Sequence, residues 1–288
     1  MTSLWRNHAF LRLWIASAIS SLGSKVTATA LPLTAAITLD ASPGQMAALV
    51  AAGQLPDLVF GLLAGSWVDR GRHRSFLVGS DLGRALLLGI IPASALFGFL
   101  SFPLLIAVAF GSGALSVFFS VASVAILPAI VPKEQFVEAN ARLSLSDSVV
   151  ALSGPGVAGA LIQVMSAPKA ILVDAVSYLM SGSLLKGLGG TTATSSHTTR
   201  SSLLSDIRSG LVELIATPLL RALTISSAVF AAGLAIQGTV VMLFLTRTLS
   251  LAPATIGLVL ACGGAGSLLG GVLAGRISRR FGAGPAII

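Results

Sequence analysis

The sequence predicts an all-α, polytopic membrane protein, and three observations carry that reading. Only 10% of the 288 residues are charged and 55% are hydrophobic, where an ordinary soluble domain carries about 25% charged residues. Mean hydropathy is +0.94. Several apolar runs exceed the roughly 18 residues that mark a membrane-spanning helix. A globule in water could not cover itself with so few charges, and a disordered chain is poor in apolar residues. Helices rather than strands follow because lipid offers no partner to an open sheet edge.

Eight spanning helices are expected, at Leu13–Leu39, Met46–Val68, Ser75–Phe97, Pro103–Ile130, Leu143–Val164, Lys169–Leu188, Leu219–Leu245 and Ala254–Arg276. The first run is too long for a signal-peptide core and reads as an uncleaved helix. It carries Lys25 about 18 Å along its axis, and Asp57 lies about 16 Å along the antiparallel second helix. Both depths fall near the midplane of a hydrocarbon core of about 30 Å. Charges there are costly unless paired or wetted, so the two are expected to support one another, as a substrate- or proton-linked pair or as a structural ion pair.

The second helix ends in Gly61-Leu-Leu-Ala-Gly65 and is followed by Ser-Trp-Val-Asp69-Arg70-Gly71-Arg72-His73-Arg74. In the third helix Asp81 and Arg84 share a face three residues apart, which suits a structural salt bridge near the cytoplasmic end. The fifth carries Gly154-Pro155-Gly156-Val-Ala158-Gly159. This matches the dinucleotide pattern G-x-G-x-x-G, but that pattern needs a strand before it and a soluble βαβ unit around it, so it is set aside. The sixth helix carries a polar stripe of Asp174, Ser177 and Ser181, for which capping at the outer end and cavity lining both fit.

Residues from Gly189 to Thr199 form a polar, flexible linker. After it Leu203, Leu204, Ile207, Leu211 and Leu214 recur at helical spacing and predict an amphipathic helix on the cytoplasmic surface. The eighth helix ends in Gly271-Val-Leu-Ala-Gly275, which repeats the end of the second and marks the start of a second copy of the fold. Arg279 and Arg280 there occupy the places of Asp69 and Arg70. The expected domains are therefore 1–188, a six-helix bundle; 189–218, a cytoplasmic linker; and 219–288, the start of a second, incomplete bundle.

Net charge is +8, yet the basic residues sit in short loops rather than in a stripe with interleaved aromatics, which argues against nucleic-acid binding. Fourteen of the eighteen lie on one side of the expected topology and only Lys169 and Arg247 on the other. By the positive-inside rule the N-terminus is cytoplasmic. Cys262 is the single cysteine, so no disulfide framework arises. His8, His73 and His197 are scattered, and neither a metal site, a catalytic triad nor a cofactor loop is expected.

The segment Gly65-Ser-Trp-Val-Asp69-Arg70 with its trailing basic residues resembles the loop signature of the major facilitator superfamily, and Gly154-Pro155-x-x-Ala158-Gly159 is similar to that superfamily's antiporter motif. Leu82-Gly-Arg84 after Asp81, and Val173-Asp174-Ala-Val-Ser177-Tyr178, resemble its branch of enterobactin exporters and macrolide-efflux permeases. The resemblance implies two six-helix bundles rocking about a central cavity, moving a small molecule against a coupling proton within the lipid bilayer. It assigns Gly65, Asp69, Arg70 and Arg74 to a gate, against the plainer reading of the arginines as topology determinants. It assigns Gly154, Pro155 and Gly159 to a seal and hinge, against ordinary small-residue packing. Such transporters have twelve helices or more, so a chain ending after the eighth is expected to lack a C-terminal half or to need an oligomeric partner. The rival reading is a non-transporting membrane component that binds a partner or lipid.

Overall fold

The computed structural model describes residues 4–68, 73–188 and 212–281. Its long helices are α1 (His8–Leu33), α2 (Pro43–Val68), α3 (His73–Leu96), α4 (Phe102–Ile130), α5 (Phe136–Met165), α6 (Ala167–Lys186), α7 (Pro218–Leu243) and α8 (Pro253–Phe281). Each stands where an apolar run was expected, and the ends differ for local reasons. α1 starts earlier than its apolar run because the Asn7 side chain caps it, accepting from the backbone N–H groups of Ala9 and Phe10 at 3.1 Å. α5 starts seven residues before Leu143, and Arg142 and Glu138 pair across that polar first part. Only Ser166, at φ 77°, separates α5 from α6.

Four helical stretches are long and apolar enough to cross a membrane on length and composition: His73–Leu96, Phe102–Ile130, Lys133–Met165 and Pro218–Thr248. α1 and α6 have 26 and 20 residues, but polar side chains on the faces they turn to each other dilute their apolarity. That polarity positions the site described below. The predicted cytoplasmic linker and most of its amphipathic helix fall at 189–211, outside the described residues; 212–216 is helical.

The first six helices pack in the spatial order α2, α4, α3, α6, α1, α5, with α7 added on α2 and α8 on α5. α1 and α4 touch only in places, so a seam runs between them. Two apolar cores lie at different depths. One joins Phe10, Leu13, Leu77, Ile126 and Leu185 on the side of the basic loops. The other joins Val26, Leu88, Leu105, Ile171 and Met242 further along. Between them the α1 and α4 faces are serine-rich, and the buried charges of α3 and α6 lie at this level.

The internal repeat has a geometric counterpart 210 residues apart. α1 ends at Leu33 and α7 at Leu243, and each continues into a five-residue π-helical segment, Thr34–Thr38 and Phe244–Thr248. Leu39 donates to the Thr34 carbonyl and Leu249 to that of Phe244, at 3.3 and 3.0 Å. Asp40 and Ser250 then take φ values of 46° and 49°. Pro43 and Pro253 open the next helices. Such agreement in unusual backbone points to a duplicated unit.

A close approach of backbones joins α5 to α8. A Cβ built on Gly159 would lie 2.6 Å from the Pro253 carbonyl oxygen and 2.8 Å from Gly257 Cα. One on Gly257 would meet the Pro155 carbonyl oxygen and would lie 2.7 Å from Gly159 Cα, and one on Gly264 would lie 3.0 Å from the Ala151 carbonyl oxygen. Small residues permit this in a membrane, where helix association rests on van der Waals contact. α7 by contrast is exposed along most of its length.

Candidate functional site

Where α3 packs on α6, four side chains converge. Arg84 forms an ion pair with Asp81 one turn before it, and the two are 5% and 0% exposed. Its guanidinium is held between two aromatic rings, 4.1 Å from the Tyr178 centroid and 4.5 Å from that of Phe119. Nη1 donates to the Tyr178 hydroxyl at 3.3 Å and to Ser116 Oγ at 3.4 Å. The Tyr178 hydroxyl lies 2.8 Å from Ser24 Oγ, which donates to the Ser20 carbonyl at 2.7 Å. One consistent direction therefore runs from Arg84 through Tyr178 and Ser24 to the α1 backbone.

Asp174 completes the group. It is fully buried, and its Oδ1 accepts from Ser177 Oγ at 3.1 Å. Gly23 of α1 makes room for it, since a Cβ there would collide with Asp174 Oδ1 and Ser177 Oγ. Among the described residues Asp174 Oδ2, Asp81 Oδ2, Thr27 Oγ1 and Ser181 Oγ are buried without a hydrogen-bond partner.

Two cavities of about 350 Å³ open along the α1–α4 seam on either side of Arg84. The first is lined by Ser24, Thr27, Gln54, Ser112, Ser116, Asp174 and Tyr178, together with apolar Leu31, Leu49 and Leu88. The second is lined by Ser17, Ser21, Ser120, Ser123, Asn140 and Asp147, with Phe119 in its wall. Phe119 is also one of the rings flanking Arg84. The charged cluster thus stands between two hollows, each with polar side chains set in a largely apolar wall.

Several expectations about individual residues change here. Asp81 and Arg84 do make a salt bridge, yet they belong to the central polar cluster rather than to a peripheral brace. Asp174 lies two turns inside α6, so it faces α1 and the first cavity and caps nothing. The expected Lys25–Asp57 pair is not formed: both residues are exposed, and neither takes part in an ion pair among the described residues. α2 turns Pro56 against Gly113 of α4, which rotates Asp57 about 100° away from that contact. Lys25 instead lays its stem across Gly154, where a Cβ would lie 2.6 Å from Lys25 Cβ.

Arg74 does not reach across to a second bundle. It donates to the Lys186 carbonyl, while Arg12 donates to that of Gly187, so both neutralise the C-terminal end of α6. Gly65 lies within the last turn of α2, which continues to Val68, and Asp69 and Arg70 lie outside the described residues. Gly154, Pro155 and Gly159 line the side of α5 that meets Lys25 and α8. Tyr178, Phe119, Ser24, Thr27 and the α4 serines were not singled out as site residues by the sequence reading. The available signals were that Tyr178 is the single tyrosine, one turn beyond Asp174, and that serines recur at helical spacing within the apolar α4.

The described helices thus form a bundle with a charged cluster buried between two cavities. The chain belongs to the Major Facilitator Superfamily, whose sequence model matches residues 13–288. It is similar to the uncharacterized MFS-type transporter YfiS of Bacillus subtilis (strain 168), with 29% identity over 279 residues, 95% of this chain and 65% of the relative. It is also similar to the uncharacterized MFS-type transporter YvqJ of the same organism, 30% identical over 139 residues, 48% of this chain and 33% of that protein. A third, YkuC, also an uncharacterized MFS-type transporter of that organism, is 25% identical over 183 residues, 64% of this chain and 42% of the relative. The chain spans less than two thirds of the length of each. Members of this superfamily carry small molecules across membranes and are not enzymes.

Proposed function

We propose that the chain forms the first bundle and the beginning of the second of a proton-coupled exporter of small organic molecules, drug- or siderophore-like. The observation that carries the reading is the Arg84 cluster, set between two cavities along one seam. A site reached from two sides through such hollows suits alternating access. The first cavity mixes apolar walls with a buried carboxylate, which suits an amphipathic substrate. Asp81, Arg84, Asp174 and Tyr178, in the segments that resemble the enterobactin-exporter and macrolide-efflux branch, are the residues that meet at this cluster.

In this reading 1–188 is the first bundle, 189–218 a cytoplasmic linker and 219–288 the start of the second, with the N-terminus in the cytoplasm of the cell membrane. Asp69 and Arg70 act as the gate at the cytoplasmic end. Gly154, Pro155 and Gly159 seal α5 against α8, and their backbone contact supports that role.

The test is pH-gradient-driven uptake of a fluorescent lipophilic cation into everted membrane vesicles carrying the chain joined to the remaining second-bundle helices of a full-length relative, with and without a protonophore. Uptake is expected to collapse with the gradient, to be lost in Arg84→Ala and to survive Asp57→Asn. Uptake indifferent to the protonophore would refute proton coupling, and no uptake under any gradient would refute export of this substrate class.

A further inference from the structure

We propose that Asp174 is the proton-binding residue of this chain, and that its Oδ2 carries the proton in the state described here. The inference deepens the proton-coupled reading and rests on it for the proton's purpose, but its evidence is geometric.

The buried group holds two carboxylates, Asp81 and Asp174, and one guanidinium, Arg84. Asp81 takes the cation through its ion pair, which leaves Asp174 as an uncompensated charge where charge is costly. α3 presents Arg84, already paired, and the like charge of Asp81, and no further cation faces Asp174 among the described residues. α1 presents Gly23, Ser24 and Thr27; α2 and α4 present Gln54, Ser112 and Ser116 across the cavity; its own helix adds Tyr178. A proton on Oδ2 makes the group neutral and converts an unpartnered acceptor into a donor. Thr27 Oγ1, unpartnered on the same cavity wall, is an acceptor for it. Oδ1 remains the carbonyl oxygen that accepts from Ser177. The step needs no co-reactant: one proton enters from the cavity, bonds to Oδ2 and leaves by the same bond.

Infrared difference spectroscopy on the purified full chain in lipid, between mildly acidic and mildly alkaline pH, tests this. A protonated-carboxyl band is expected in the unaltered chain and in Asp57→Asn, and its loss is expected in Asp174→Asn. That loss alone does not exclude Asp81 as the bearer, because removing either charge balances Arg84. Ser177→Ala separates them. It deletes the hydrogen bond to Asp174 Oδ1 and moves the band to higher frequency, whereas a proton on Asp81 leaves it where it was. Should Asp174→Asn fail to fold, the Ser177→Ala shift in folded protein decides the assignment. A band that survives Asp174→Asn, a band unmoved by Ser177→Ala, or no band at all overturns the proposal. Proton-driven vesicle uptake is read separately: a band assigned to Asp174 without such uptake removes the exporter reading and leaves the site.

Discussion

Replacing Gly159 by alanine tests whether α5 and α8 are held by backbone contact. The added methyl would lie 2.6 Å from the Pro253 carbonyl oxygen, 2.8 Å from Gly257 Cα and 3.1 Å from Gly257 N. Ordinary van der Waals contact starts near 3.4 Å, so the shortfall is roughly 0.8 Å against backbone that has no rotamer to yield. The first turns of α8 must shift, at a cost of about 1–3 kcal/mol for overpacking. Gly156→Ala is the control, since its methyl meets only Ala261 Cβ at 3.9 Å and gains about 1 kcal/mol of helix propensity. Thermal unfolding of each variant in detergent, followed by size-exclusion chromatography, reads the difference. Gly257→Ala should resemble Gly159→Ala. The double variant should lose less than the two single losses together, because once α8 has moved the second methyl has space. Equal stability of Gly156→Ala and Gly159→Ala, or strict additivity of the pair, would refute the contact as the determinant.

Other outcomes follow from the same geometry. Arg84→Ala leaves the Asp81 carboxylate buried without its cation and should cost about 3–5 kcal/mol; adding Asp81→Asn should recover part of the loss in the same melting assay. Arg247→Ala removes the bonds to Asp40 Oδ1 at 2.7 Å and the Ala41 carbonyl at 2.8 Å. Because Asp40 is 93% exposed, its melting should change by less than about 1 kcal/mol, and a larger loss would show a buried role for the pair. Arg12→Gln with Arg74→Gln strips both cations from the end of α6 and should loosen it by about 1 kcal/mol, seen as faster proteolysis after Lys186. Cysteines placed at Arg72 and Arg200 should be labelled from the cytoplasm and one at Lys169 from outside; the reverse pattern would overturn the orientation.

The fold class and the eight helices were determined by the sequence itself, because they depend on local properties. Run length fixes whether a segment reaches across lipid, and Gly61–Gly65 and Gly271–Gly275 repeat without any need for contact. A residue count times the helical rise also gave Lys25 and Asp57 similar expected depths. Their failure to meet was not legible. It depends on how far each helix is rotated and on which helix it packs against, and α2 packs on α4 rather than on α1. Asp81, Arg84 and Asp174 were each visible in the sequence, but as separate features with separate readings. Only the packing of α3 on α6, with Gly23 letting α1 close over them, made one cluster from residues up to 93 positions apart. Sequence spacing sets position along a helix axis; rotation about that axis and the choice of neighbour are fixed only when side chains pack.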